Sequence, residues 1–136
     1  MPKYVLEEQI GFILRQVSQR HVTLFSKGIP DLPPMQFAVL AQLRDAGPLS
    51  QNELGRQTAM DAATIKGVVD RLDLRGLVQI SANALDNRRV VIDLTEAGWA
   101  EAERLIPAAV EITAATLAPL TTAEAKRLLV LLRKLS

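Results

Sequence analysis

The sequence of 136 residues contains no cysteine and only one histidine. The absence of cysteine excludes disulfides, thiolate zinc sites, thiol nucleophiles and thiol-based redox sensing. With one histidine, a metal site would have to be built mostly from carboxylates, yet neither an Asp-x-Asp run nor a His-Glu-x-x-His spacing occurs. The sequence therefore predicts neither a metal site nor a bound cofactor, and any sensing is expected to be non-covalent.

Long apolar runs and a strong net charge are also lacking. The longest apolar stretches, such as residues 128–132, are too short to span a bilayer, and the N-terminus lacks the pattern of a signal peptide. These features predict a cytoplasmic protein with no membrane partner. The 16 basic residues are balanced by 15 acidic ones, so that net charge neither requires nor forbids a polyanionic partner. A chain of this length that is 49% hydrophobic is typical of one domain with its own core.

Hydrophobic periodicity predicts a mainly helical chain with one small β-hairpin. Apolar residues recur every three or four positions in six segments, and after Leu77 the period changes to two, where two strands and a loop are expected. Thr95 is expected to cap the fifth helix, and Pro107 predicts a bend or break within it. The first helix is predicted over about residues 4–26 and the third over about 51–58, while the second, fourth and fifth end before Gly47, Gly76 and Pro119.

Three further predicted helices start with a recognisable cap. Ser50 with Glu53, and Thr121 with Glu124, have the spacing of a capping box, in which each side chain satisfies a free backbone donor of the other residue. Asp61 directly precedes the fourth apolar stripe and is suited to cap that helix. The third and fourth helices are therefore predicted to be separated by a turn of only about four residues.

This order of elements is typical of a winged helix-turn-helix. Two helices joined by a short turn precede a hairpin whose tip carries Asp86, Arg88 and Arg89. When the second helix enters a major groove, such a hairpin lies over the flanking minor groove, whose negative potential attracts arginine. Asp86 is expected to hold the Arg88 guanidinium in position. The pattern therefore predicts a protein that binds double-stranded DNA.

The sequence resembles the MarR family of bacterial transcriptional regulators over essentially the whole chain. The likeness lies in the ordered set "LSQNELGRQTAMDAATIKGVVDRLDLRGLV" and "DNRRVVIDLTEAG". It implies one domain over residues 1–136, with a winged helix-turn-helix unit at residues 33–95 and a helical dimerisation region at residues 4–32 and 96–136. It further implies a homodimer that straddles a pseudo-palindromic operator. The surplus leucines of the last helix and the apolar stripe of the first agree, because they need a partner surface.

The resemblance also indicates which residues contact DNA. Thr64 and Lys66 match the family's groove-reading helix, whereas Gly67 and Ile80 stand where many members carry larger polar or basic side chains, which predicts modest affinity per subunit. The predicted DNA-contacting residues share exposed positions on the two helices and the hairpin: Ser50, Gln51, Thr64, Lys66, Arg71, Asp86, Arg88 and Arg89. Residues 44–89 carry little excess positive charge. DNA binding is therefore expected to depend on where the positive groups lie rather than on their number.

His21 lies on the apolar stripe of the first helix and has two interpretations. A lone histidine there is commonly a buried group with one hydrogen bond. Alternatively, Arg15 lies about 120° around the helix and its long side chain can reach a cavity that His21 borders. An arginine and a histidine beside an apolar cleft suit a small aromatic carboxylate, phenolic or hydroxynicotinate-like. Phe37 either lines the same pocket or packs in the core.

"QRH" and "MDAATIKGVVDRL" resemble the branch of the family that controls degradation of protocatechuate or nicotinate-type compounds. The resemblance implies a repressor that a small aromatic acid releases from DNA, with a pocket between the DNA-binding unit and the dimer helices. An enzyme is not expected, because no Ser-His-Asp set and no Gly-rich phosphate loop is found. The alternative is a winged-helix module that binds only proteins, for which DNA affinity would not fall steeply with salt.

Overall fold

A computed structural model of the chain describes residues 1–83 and 86–136, and their side chains except those of residues 83 and 86–88. This part is mainly helical with a small antiparallel sheet, as the sequence predicted. A 3-10 turn at Leu6–Glu8 precedes the first helix. The helices are α1 (Ile10–Gly28), α2 (Pro34–Ala46), α3 (Gln51–Gln57), α4 (Ala62–Leu74), α5 (Glu96–Leu117) and α6 (Thr122–Lys134), and the strands are β1 (Leu49–Ser50), β2 (Val78–Asn83) and β3 (Asp86–Leu94).

The chain divides into two compact units. The first, here called the winged unit, is Asp31–Pro107 and holds α2 to α4, the sheet and the first part of α5. The second, here called the terminal-helix unit, combines Met1–Pro30 with Ala108–Ser136 and holds α1, the end of α5, and α6.

The winged unit is built around a continuous apolar core. Its sheet has the strand order β1-β3-β2, with Ile92 of β3 paired to Leu49 on one side and to Ile80 on the other. Leu40, Leu54 and Ile92 are fully buried. Because α2, α3, α4 and the sheet all contribute to this core, the turn between α3 and α4 and the base of the β2–β3 hairpin are held in fixed positions.

The terminal-helix unit buries far fewer of its apolar side chains. Phe25, Ile29 and Ile112 are its buried hydrophobic residues in the described part of the chain. A Cβ atom added at Gly28 would lie 2.8 Å from the Ile112 side chain. Glycine therefore permits the close approach of α1 to α5. In α6, by contrast, no residue is buried.

The predicted caps are confirmed except for one contact. Thr121 and Glu124 form a complete capping box, and the Asp61 side chain accepts a hydrogen bond from the Thr64 amide. Ser50 caps α3 by accepting from the Glu53 amide at 3.2 Å. The reciprocal contact expected of Glu53 was wrong, because its carboxylate instead accepts from side chains one turn further along α3, those of Arg56 and Gln57.

Three other expectations need correction. Helix α1 begins at Ile10 rather than near residue 4, since the preceding residues form the 3-10 turn and the Gln9 side chain donates to the Val5 carbonyl at 2.8 Å. The two-residue strand β1 was missed, because two residues carry no readable period. Of the bend or break expected at Pro107, a break was wrong, because α5 continues through this residue to Leu117.

Within the described residues, no single helix has the length and apolar composition needed to cross a membrane. Helices α5 and α6 meet that requirement only when taken together, by length and composition alone, and they are bent by 97° at the break between them.

Candidate nucleic-acid interface

Helix α4 is fixed at its start and along one face. At the start, Asp61 Oδ1 accepts from the Thr64 amide at 2.7 Å. Hydrogen bonds from the backbone and side chain of Thr64 lower the pKa of Asp61, so its carboxylate stays charged where it complements the positive end of the helix. Along α4, Ile65, Val69 and Leu72 are buried. Their burial fixes the rotation of α4 about its own axis, so that the opposite face of the helix points outward.

Two cationic side chains, those of Lys66 and Arg71, lie on the outward face of α4 and make different contacts. Lys66 Nζ lies 2.7 Å from Asp70 Oδ2, an exposed pair one helical turn apart. The Arg71 guanidinium lies over Gly67, since a Cβ at that position would be 3.3 Å from Arg71 Nη1. The absence of a side chain at Gly67 therefore makes room for Arg71. Arg71, one turn further along α4, places its guanidinium where the resemblance led us to expect a larger polar or basic side chain at position 67.

A cleft between the start of α3 and strand β3 brings several predicted residues together. Its volume is about 380 Å³. Ser50, Gln51 and Arg89 were predicted from the sequence to contact DNA, and all three line it. Asn52 and Arg56 line the same cleft and were missed. Their spacing of four residues on one helix, next to the predicted contact Gln51, is the signal that identifies them.

Two other arginines of the winged unit, Arg44 and Arg75, make hydrogen bonds within that unit. Arg44 Nε donates to Glu103 at 2.7 Å, and this hydrogen bond raises the pKa of Arg44. Arg75 donates to the Asp31 carbonyl at 2.9 Å. Arg89, by contrast, is exposed and makes no ion pair with any side chain that the structure describes. Arg89 is therefore a cation beside the cleft that no described carboxylate neutralises.

Two of the predicted contacts cannot be placed. The side chains of Asp86 and Arg88 lie outside the described residues, although their backbone belongs to β3. The expectation that Asp86 holds the Arg88 guanidinium stays a prediction.

The residues predicted to bind an effector lie in different units. Arg15 and His21 are on α1 of the terminal-helix unit, and the half-buried Phe37 is on α2 of the winged unit. The Arg15 guanidinium lies 5.9 Å from the centre of the Phe12 ring, and it has no carboxylate partner in the described part of the chain. His21 Nδ1 lies 2.8 Å from Thr116 Oγ1. The single hydrogen bond of the half-buried His21 agrees with the first interpretation, and an effector contact of Arg15, His21 and Phe37 stays a prediction.

Sequence reasoning also missed Gln36, next to Phe37 on α2. This glutamine is buried, and its side-chain oxygen has no hydrogen-bond partner within the described residues. A buried acceptor without a donor is uncommon in folded proteins. A polar residue in an apolar helix stripe is the signal that could have identified it.

Comparison with known proteins relates the chain to transcriptional regulators. Residues 31–89 match the MarR family. The HTH-type transcriptional repressor NicR of Pseudomonas putida is 43% identical over 97% of this chain and 85% of its own. A crystal structure of a probable transcriptional regulator from Pseudomonas aeruginosa is 53% identical, with a TM-score of 0.93 over 97% of this chain and all of that one.

A third similar protein is BpsR of Bordetella bronchiseptica, whose structure was described for the regulation of its DNA binding by 6-hydroxynicotinic acid. It is 40% identical to this chain and has a TM-score of 0.94, covering 98% of this chain and 97% of that one. The similarity in these comparisons therefore extends over both units.

Proposed function

The chain belongs to the MarR family of transcriptional regulators, and we propose that it is a homodimeric repressor released from a pseudo-palindromic DNA operator by a small aromatic carboxylic acid. The observation that carries the proposal is the cleft lined by Ser50, Gln51, Arg56 and Arg89, in the same unit as α4 with its outward face. It combines amide, hydroxyl and guanidinium donors, the groups that bind phosphate oxygens.

The cleft and helix α4 have different roles in DNA binding. The cleft residues hold the phosphate backbone, which fixes the orientation of the winged unit on the duplex without reading sequence. Helix α4 then lies in the major groove, where Thr64 and Lys66 contact base edges. Lys66 exchanges Asp70 for the DNA at little cost, because an exposed ion pair of this kind is worth only about 0.5 kcal/mol. Arg71, Arg88 and Arg89 extend the contact along the flanking DNA.

The homodimer rests on the apolar faces of the terminal helices. Ile10, Leu14 and Val17 of α1 are 59%, 44% and 49% exposed, and Leu131 of α6 is 41% exposed. Apolar patches of this kind mark protein interfaces. A second copy covers them with the same surface related by a two-fold axis, which in turn gives an operator with half-sites about 34 Å apart.

The effector is proposed to be an aromatic carboxylate bound through Arg15 and His21. The Arg15 guanidinium is able to form a bidentate pair with the carboxylate, and BpsR, at 40% identity, provides the precedent of 6-hydroxynicotinic acid. Release follows if the acid binds the DNA-free dimer more tightly than the DNA-bound one, and a tenfold difference is worth about 1.4 kcal/mol.

In this role the chain regulates and catalyses no reaction, as expected of a family of regulators rather than enzymes. A protein that binds the bacterial chromosome acts in the cytoplasm.

The test of DNA binding starts from a pool of random duplexes, from which the protein selects its operator. The selected duplex is then titrated by fluorescence anisotropy between about 50 and 200 mM salt, where several phosphate contacts weaken binding by a factor of hundreds or more. Selection of an inverted repeat with this salt dependence supports the proposal. Failure to enrich any duplex would favour a module that binds only proteins.

The effector is tested on the same complex with 6-hydroxynicotinate, protocatechuate and 4-hydroxybenzoate. At least one acid is expected to release the wild-type protein from DNA and to raise its melting temperature. Arg15→Ala should abolish both effects, whereas Arg133→Ala, an equal loss of charge on α6, should leave the release unchanged. Release of the Arg15→Ala protein at wild-type acid concentrations would contradict the assignment.

A further inference from the structure

Thr116, near the end of α5, contacts both the α5 backbone and the single histidine of the chain. Its Oγ1 atom lies 2.9 Å from the Ile112 carbonyl oxygen and 2.8 Å from His21 Nδ1. A carbonyl oxygen only accepts hydrogen bonds, so the hydroxyl proton of Thr116 is donated to Ile112. A hydroxyl has one proton, and in the contact with His21 its oxygen must therefore accept.

It follows that His21 Nδ1 carries the proton. A neutral imidazole has one N–H and one lone pair, so that Nε2 is then the acceptor. Nε2 makes no hydrogen bond with any residue that the structure describes, whereas the neighbouring Arg20 is occupied by the α5 carbonyls of Ala115 and Thr116 at 2.9 and 2.7 Å. The imidazole is held at Nδ1, and its Nε2 lone pair has no hydrogen-bond donor among the described residues.

We propose that Thr116 is a positioning residue that holds His21 in the Nδ1–H tautomer and thereby selects effectors that carry a hydrogen-bond donor on the aromatic ring. A phenolic hydroxyl, or the ring N–H of a hydroxypyridine in its lactam form, donates to Nε2. An aromatic carboxylate without such a group leaves that lone pair unsatisfied. The selection rests on the effector class proposed above, but the tautomer does not.

The tautomer is measured directly on the full-length protein without effector. Because the chain has one histidine, a long-range ¹H–¹⁵N correlation spectrum of the imidazole contains a single residue and needs no assignment. At a pH where the ring is neutral, wild type is expected to show a protonated Nδ1 and an unprotonated Nε2. Thr116→Val keeps the side-chain shape and removes the acceptor, so both nitrogens should move to the intermediate shifts of exchanging tautomers.

Two variants serve as controls. Thr116→Ser retains the hydroxyl and should restore the wild-type spectrum, and Thr113→Val makes the same change at an exposed position of α5. A wild-type Nε2–H tautomer would overturn the proposal, as would a Thr116→Val spectrum identical to wild type. Circular dichroism of each variant shows that any change is not a loss of fold.

Selection is measured by calorimetric titration with matched pairs of acids: 6-hydroxynicotinate with nicotinate, and 4-hydroxybenzoate with benzoate. Wild type and Thr116→Ser are expected to prefer the donor-bearing acid by about tenfold, the size of one hydrogen bond to a buried partner. In Thr116→Val the preference should fall to about threefold or less. An unchanged preference would overturn the selection. If none of the acids binds, the effector class and the selection are both wrong, while the spectrum still decides the tautomer.

Discussion

The winged unit and the terminal-helix unit differ in how far their apolar side chains are buried. In the winged unit Leu40, Leu54 and Leu72 are fully buried, whereas in the terminal-helix unit Ile10 and Leu131 are 59% and 41% exposed. Apolar groups of similar size are thus core in one unit and surface in the other. The comparison indicates that the DNA-reading part holds its shape with its own core, and that the terminal helices are completed by a second copy.

The largest expected effect follows from removing a buried leucine of the winged unit. Leu72→Ala should lower the free energy of unfolding by about 3 kcal/mol, because it leaves a cavity beneath α4. The loss should be the same at low and high protein concentration, as measured by urea unfolding. Leu131→Ala is the matched change on α6, and its effect should grow with dilution. Equal and concentration-independent losses in both variants would remove the distinction between the units.

The next effect is on dimerisation. Leu131→Asp places a charge on the exposed apolar face of α6 and should weaken the dimer by about a hundredfold, since an unpaired charge is costly to bury. Sedimentation velocity measures the change, and DNA affinity should fall with it. Leu74→Asp is the control, because Leu74 is 89% exposed on the winged unit. A Leu131→Asp protein that remains dimeric would place the interface elsewhere.

A smaller effect is expected from the cleft of the winged unit. Arg89→Ala should weaken binding to the selected duplex by about tenfold and reduce the salt slope by about one, as for the loss of one phosphate contact. Arg104→Ala removes the same charge from the same unit, but Arg104 is engaged by Glu101 at 2.5 Å and lies outside the cleft. Its salt slope should match wild type. Equal slopes in wild type and Arg89→Ala would exclude Arg89 as a phosphate contact.

The winged unit was also easier to predict from the sequence than the terminal-helix unit. Periodicity and caps predicted the winged unit closely, because its helices bury apolar residues and α3, α4 and α5 begin at the capping side chains Ser50, Asp61 and Thr95. The sequence also singled out Ser50, Gln51 and Arg89, which the structure brings together in one cleft, and their contact with DNA stays a prediction. Arg56 was missed because its spacing from Asn52 shows only that the two share a face of α3, not that β3 completes a cleft there.

The ends of the chain were harder to predict. The proline rule predicted a bend or break at Pro107, and α5 runs through this residue to Leu117, so that a break was wrong. The contact between His21 and Thr116 joins residues far apart in sequence. Neither the partner of His21 nor the space that Arg71 occupies over Gly67 is visible from spacing alone.

The smallest predicted effect is the response of the α4 cap to acid. Hydrogen bonds from Thr64 lower the pKa of Asp61 in the folded protein, so its contribution to stability is present above the ordinary aspartate pKa and is lost as pH falls through the lowered value. Asp61→Asn still caps the helix but does not titrate. The difference in melting temperature between wild type and Asp61→Asn should therefore shrink in acid. A difference that is constant with pH would contradict the role of the charge.

Sedimentation equilibrium of the wild-type protein, alone and with its selected duplex, tests most directly whether two copies complete the terminal helices and present paired winged units to DNA. At micromolar concentration the account predicts a mass twice that of the 14.9 kDa chain, and two chains on each duplex. A mass of one chain at every concentration, or a single chain saturating the duplex, would contradict it.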